Sequence, residues 1–410
     1  MKRLLIRVQV LFFSFLLLQI FNTEYLIAQI NPINLSINRE RTPKFLKSDT
    51  AWVNSLINKM ALDEKIAQLL MVAAYSNRDE AHAKEIDELV KKYNVGGLIF
   101  FQGGPVRQAI LTNRFQKIAK VPLLIAMDAE WGLAMRLDST ISYPKQMMLG
   151  AIQDDNLIYK MGYDFGKQLK RLGVHINFAP VADVNNNPEN PVINHRSFGE
   201  NQNKVSVKSE NYFIGLQDAG VIGTAKHFPG HGDTNFDSHF ALPIIKHNKA
   251  RLDSIELFPF KYLINRGIPA IMTAHLNVVA LDSTKNLASS LSPLIIDSLL
   301  KKTLGFEGLV ITDALNMKGV SEYFKHGEVE LAAFIAGNDI LLMPGDVPKV
   351  ISEFRREIRK GLITEEQIDQ RCRKVLFAKA WAGLKNYKPV KTDSLFSDLN
   401  LPLYHVLKRQ

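Results

Sequence analysis

The sequence predicts an α/β fold of one kind, a (β/α)8 barrel of the TIM type forming a single catalytic domain, and three observations predict it. Eight short apolar runs, at 68–75, 96–101, 123–128, 175–183, 221–227, 269–275, 308–313 and 339–344, alternate with longer amphipathic stretches such as 79–93, 155–172, 203–219 and 294–304. Strands buried on both faces read as continuous apolar runs, and eight strand–helix repeats close a parallel barrel more naturally than they extend an open sheet. The third to seventh runs end in ionisable residues, namely Asp128, Asp183, Lys226 with His227, His275 and Asp313. In a barrel those carboxyl ends share one face, where the loops build the site. Length agrees, because α/β barrels exceed the usual ~100–200 residues per domain.

Taken in order, the chain opens with a leader. Lys2, Arg3 and Arg7 precede an almost wholly apolar 8–21, and Leu26-Ile27-Ala28 offers a small residue for cleavage before Gln29. This is the pattern of a signal peptide over 1–28, and it predicts an exported protein, periplasmic or extracellular. An uncleaved membrane anchor is the alternative, but the apolar run falls short of the ~20 residues a span needs. A helix over 50–62 follows, with Val53, Ile57 and Met60 at helical spacing. The barrel domain occupies 45–385. Thr364-Glu365-Glu366-Gln367 has the form of a capping box opening a helix to about 382. Residues 386–410 read as a linker or the start of a truncated further segment.

Cys372 is the single cysteine, so no disulfide forms within the chain, and its helical register with Ile368, Val375 and Leu376 marks it as a small buried hydrophobe. The net charge is +10; residues 1–28 carry three basic side chains and Glu24, a net +2, so +8 remains after them. That excess suits an anionic polymer such as cell wall. No dense basic run with interleaved aromatics is present, which argues against nucleic acid as a partner, and nothing implies a stable protein partner.

Chemistry concentrates after the fifth run. Residues 226–239, Lys-His-Phe-Pro-Gly-His-Gly-Asp-Thr-Asn-Phe-Asp-Ser-His, hold three histidines and two aspartates among glycines and a proline. Glycine lets loop backbone approach a ligand closely. In Asp237-Ser238-His239 the carboxylate can hold the imidazole and favour its protonated form, giving a group that donates a proton to a leaving oxygen and later takes one from water. Asp313, at the barrel mouth, is placed to attack an anomeric carbon as the nucleophile of a retaining displacement. Singly, each strand-end aspartate is as well explained as a helix cap; five ionisable strand ends together are not. His227 and His231 with Asp233 or Asp237 form an alternative metal-ligand set, disfavoured because the first run offers no ligand. His231 reads better as a residue bonded within the turn. No cofactor and no metal are called for.

Residues 226–239 resemble the signature loop of the β-N-acetylglucosaminidase (β-hexosaminidase) branch of glycoside hydrolase family 3. The resemblance extends to 60–71, to Asn177-Phe178-Ala179-Pro180-Val181-Ala182-Asp183-Val184, to Arg196-Ser197-Phe198-Gly199 and to Thr312-Asp313-Ala314-Leu315, spanning about 45–385. It implies Asp313 as nucleophile, His239 as acid/base and Asp237 as partner of that histidine. It implies Lys226, His227, Arg196 and Asp128 as ligands of an N-acetylglucosamine residue. The chain departs from the family's D-x-E-G-G-R-V, having Asp128-Ala129-Glu130-Trp131-Gly132-Leu133-Ala134-Met135-Arg136. Trp131 replaces a glycine and Leu133 an arginine, so Arg136 is the candidate to supply the lost contact, and Trp131 either stacks on a sugar or packs inward. The implied function is release of terminal β-linked N-acetylglucosamine from peptidoglycan fragments, as in peptidoglycan turnover, or from chitooligosaccharides. A phosphorylase that uses phosphate in place of water is the first alternative, and a non-catalytic sugar-binding barrel the second.

Overall fold

A computed structural model describes residues 40–234, 242–322 and 327–409. The leader expected over 1–28, and Asp237 and His239, lie outside the described residues. Eight parallel strands carry the fold: β1 Leu70–Ala74, β2 Gly97–Phe100, β3 Leu124–Met127, β4 Ile176–Asn177, β5 Ile222–Phe228, β6 Ala270–Thr273, β7 Leu309–Thr312 and β8 Leu341–Leu342. Each falls inside or one residue beyond one of the eight apolar runs.

The strands follow one another in chain order around the sheet, with β8 beside β1. Val72 pairs with Leu98, Ala126 with Ile176, and Thr273 with Thr312. A parallel bridge between Ile311 and Ile340 joins β7 to β8 and closes the circle, helped by the Thr312 Oγ1 acceptor for the Leu342 N–H at 2.9 Å. All residues of β2, β3, β5, β6 and β7 are buried. This double-sided burial is why the runs are continuous rather than alternating in the sequence. The result is a (β/α)8 barrel. A separate parallel pair, Ile244–Ile245 with Asn277–Val278, flanks it.

Helices form the outer layer. The two longest neighbours, Asp155–Arg171 and Gln202–Asp218, approach closely because glycine stands at their contact: a Cβ on Gly215 would sit 2.3 Å from the Tyr159 carbonyl oxygen. Thr364 caps Glu365–Trp381 as expected, accepting from the Gln367 N–H at 3.2 Å while Gln367 accepts from the Thr364 N–H at 2.9 Å. The helix expected over 50–62 is instead two, Thr50–Ile57 and Leu62–Ala67. The Glu64 carboxylate accepts from the Ala61 N–H at 3.1 Å and starts the second helix there, so the apolar spacing runs on through Met60 while the backbone does not.

Two C-terminal helices, Leu395–Leu399 and Pro402–Arg409, rest against the barrel's helical layer. Leu395 and Leu399 are fully buried, and Asp398 pairs with Arg171 at 2.9 Å. Cys372 is buried and free, and burial pushes its thiol up to about 12. Among the described residues no helix is long and apolar enough to cross a membrane.

Candidate active site

The carboxyl ends of the strands open into a cavity of about 490 Å³. Asp128, Arg136, Arg196, Lys226, His227 and Asp313 all line it. The structure therefore brings together every described residue singled out from the sequence as nucleophile or sugar ligand.

Lys226 occupies β5 and is fully buried, so its ammonium can exist there only if paired. It is paired twice, to Asp128 Oδ1 at 2.8 Å and to Glu130 Oε1 at 2.9 Å. Burial works against its charge, but the two carboxylates outweigh it and hold Lys226 above the usual lysine range. Asp128 also takes the Arg136 guanidinium, at 2.9 Å on Oδ2 and 3.1 Å on its carbonyl. Arg136 thus reaches the strand end from three residues beyond the position where the family motif has its arginine.

Glu130 was not among the residues singled out, yet it is the hub. Its carboxylate is wholly buried and accepts from Arg196 Nη2 at 2.7 Å and Nε at 3.0 Å, a bidentate pair. Burial opposes its charge, and Arg196 and Lys226 overcome it, leaving the carboxyl far below the usual range. The sequence offers only its place two residues after Asp128, in the turn that follows β3.

Asp183 follows β4 and orders the start of the histidine-rich loop. Its buried carboxylate accepts the His227 N–H at 3.1 Å, the His231 N–H at 2.7 Å and the His227 ring Nδ1 at 2.7 Å. A carboxylate so bonded only accepts, which puts the ring proton of His227 on Nδ1 and leaves Nε2 as an acceptor, 3.4 Å from Arg196 Nη2. Burial raises the Asp183 carboxyl, and His227 and His231 more than offset it.

The loop needs its glycines. A Cβ on Gly232 would lie 1.8 Å from the Val184 carbonyl oxygen, and Gly230 has φ +129. His231 bonds within the turn, its Nδ1 2.8 Å from Thr234 Oγ1, as its setting suggested. Burial first, and the neighbouring His227 second, push its imidazole down to about 4.

Asp313 lies one residue past β7, on the pocket wall. Burial would raise its carboxyl, but His227, His275, the Ala314 N–H at 2.8 Å and Lys226 together bring it below the usual range. It is ionised at neutral pH. His275, buried behind it, takes Ser290 Oγ at 2.7 Å on one ring nitrogen and faces the Ala314 carbonyl at 3.1 Å with the other.

The weighed metal ligands His227 and His231 are committed to Asp183 and the turn. Asp233, weighed with them, instead converges with His247 and Glu256. Arg251 supplies positive charge there, 3.2 Å from Glu256 and 4.0 Å from Asp233.

Residues 61–378 match the model of the glycosyl hydrolase family 3 N-terminal domain. This chain belongs to glycoside hydrolase family 3. It is 39% identical to β-hexosaminidase A of Pseudoalteromonas piscicida over 283 residues, 63% of this chain and 47% of that protein. The β-hexosaminidase LpqI of Mycobacterium tuberculosis is 32% identical over 321 residues, 75% of this chain and 80% of that one. The family 3 β-N-acetylglucosaminidase of Paenibacillus sp. str. FPU-7 superposes with a TM-score of 0.75 at 35% identity, covering 83% of this chain and 68% of that chain. This family 3 chain thus spans about half the length of the first of these relatives.

Proposed function

We propose that this family 3 protein is an exported, retaining β-N-acetylhexosaminidase that removes terminal β-linked N-acetylglucosamine. The observation that carries the reading is the pocket itself: an ionised Asp313 shares the cavity with His227 and with a fixed, ion-paired cluster of Asp128, Glu130, Arg136, Arg196 and Lys226. Sugars offer little apolar area, so charged donors and acceptors must orient them, and such groups make the stronger hydrogen bonds. The names of the relatives support the choice of sugar.

In the reaction, an Asp313 oxygen forms a bond to the anomeric carbon as the bond to the leaving oxygen breaks. His239, oriented by Asp237, gives its proton to that oxygen. Water then attacks the glycosyl–Asp313 ester, passing its proton to His239 and freeing the carboxylate. Lys226 and Arg196 donate to the hydroxyls of the sugar from fixed positions, because their own carboxylate partners hold them. The proposed setting is outside the cytoplasm, on wall fragments or chitooligosaccharides. Product analysis tests the whole reading. A β-N-acetylglucosaminide should yield free N-acetylglucosamine, first released as the β anomer, with or without phosphate. A dominant glycosyl phosphate would make it a phosphorylase, and an α anomer would remove the covalent intermediate.

A further inference from the structure

Asp237 and His239 stand in the chain between Asp233 and His247, and the structure ties down the described residues at both ends of that segment. At the entrance, Asn190 Nδ2 donates to the His231 carbonyl at 2.8 Å and to Thr234 Oγ1 at 3.3 Å. Gly230 rests on Glu256 so closely that a Cβ there would lie 2.7 Å from the Glu256 Cβ. At the exit, the Asn277 N–H donates to the Pro243 carbonyl at 2.9 Å, and Ile244–Ile245 pairs with Asn277–Val278.

One contact joins the two ends directly. His247 Nε2 meets Asp233 Oδ2, and because a carboxylate only accepts, the ring nitrogen donates. Arg251 Nη2 lies 4.0 Å from the same Asp233 oxygen and 3.2 Å from Glu256 Oε1, and Glu256 is 2% exposed. Arg251 is thus shared by two carboxylates, from a short helix, Lys249–Ser254, that begins two residues after His247. None of these four side chains lines the cavity that holds Asp313. Their route to the chemistry is the chain between them. A proton donor works only within hydrogen-bond reach of the leaving oxygen, about 2.6–3.2 Å, and a misplacement of ~1 Å can cost ~100-fold. Tying the ends of a segment together cuts the conformations open to it.

We propose that the Asp233–His247 contact, backed by Arg251 and Glu256, is a clamp that sets where His239 stands as proton donor. Asp233 and His247 are then positioning residues, acting through His239 and touching no sugar. This rests on the glycosidase reading above and adds to it the residues that place its acid.

The test compares kcat/KM for chitobiose, whose leaving sugar needs a proton, with that for dinitrophenyl β-N-acetylglucosaminide, whose leaving group does not. His247→Ala and Asp233→Ala should each lower the first about 10- to 100-fold while the second changes less than about threefold. His247→Gln, which keeps an N–H for Asp233, should recover most of the loss. Adding His247→Ala to His239→Ala should cost nothing further, because the clamp acts only through that histidine. Circular dichroism checks folding, and if one alanine variant unfolds the other carries the comparison; unfolding of both would mark the contact as structural and overturn the clamp. An equal fall on both substrates, no fall on chitobiose, or a further loss in the double variant would overturn it too. So would activity that a chelator removes and zinc restores, which would make Asp233, His247 and Glu256 metal ligands. If the unmodified protein cleaves neither substrate, or His239→Ala loses both equally, the glycosidase reading itself fails and the clamp with it.

Discussion

The substitution Asp183→Asn tests the internal logic of the site, because shape is kept while one acceptor becomes a donor. The carbonyl oxygen of the introduced amide can still take the His231 N–H, 2.7 Å from the carboxylate in the native protein, and the His227 N–H, 3.1 Å away. The amide NH2 group then meets His227 Nδ1, whose native distance to the carboxylate is 2.7 Å. Two donors cannot share that contact, so His227 must move its proton to Nε2, where Arg196 Nη2 stands 3.4 Å off with a donor of its own. The pocket loses an acceptor and gains a repulsive contact, the same kind of tautomer fault that an Asp-to-Asn change causes in a catalytic triad. One buried charge-assisted hydrogen bond is worth ~1.5–3 kcal/mol, so kcat/KM should fall about 10- to 100-fold. The assay is steady-state hydrolysis of a nitrophenyl β-N-acetylglucosaminide, with far-UV circular dichroism to confirm folding. Activity within twofold of the unmodified protein, in a folded variant, would refute the role assigned to Asp183.

Other outcomes follow from buried charge. Glu130→Gln leaves the fully buried Lys226 with one carboxylate and Arg196 with none, and should cost about 3–5 kcal/mol in urea unfolding as well as activity; a loss under about 0.5 kcal/mol would contradict the hub. Burial lowers His175 to about 3 and His231 to about 4, both below the ordinary 6.5. The unfolded chain therefore binds more protons, and the stability present above pH 6.5 is lost as pH falls toward 4 and 3, by at least about 2 kcal/mol between pH 7 and pH 5. A flat urea midpoint over that range would exclude it. Lys379 is buried, its Nζ 2.6 Å from Gln68 Oε1, and burial lowers it to about 7. Stability should thus rise from pH 7 toward 10.5, and Lys379→Met should stabilise by about 2–3 kcal/mol at pH 7 after the lost hydrogen bond, the gain shrinking by pH 9.5. An equal effect at both values, measured by thermal melts, would argue against a depressed lysine.

Much of this was legible in the sequence, and the exceptions have physical reasons. Strands such as Leu309–Thr312 are buried on both faces, so they print as apolar runs ending at Asp313. Arg136 could be anticipated as a substitute because the family motif that 128–134 resembles has an arginine where Leu133 stands. Glu130 was passed over because a single glutamate in a turn has many uses, and only the approach of Arg196 from the loop after β4 and of Lys226 from β5 makes it a hub. Asp183 was visible as a strand-end carboxylate, but its task depends on His227 and His231, 44 and 48 residues away. The break between Ile57 and Leu62 escaped because periodicity reports side-chain faces, not the backbone N–H that Glu64 captures. Likewise 294–304 reads as a helix, but the wider π winding of Leu294–Thr303 leaves no mark in apolar spacing.

The central claim is that Asp313 becomes covalently bound to the sugar during turnover. It is tested most directly by mass spectrometry of the protein quenched during reaction with an activated N-acetylglucosaminyl fluoride carrying fluorine at C5, which slows release of the intermediate. Peptide mapping should place one glycosyl group on the peptide containing Asp313 and none on the Asp313→Asn variant. A glycosyl group on another carboxylate, or turnover to product with no adduct at any time, would contradict the account.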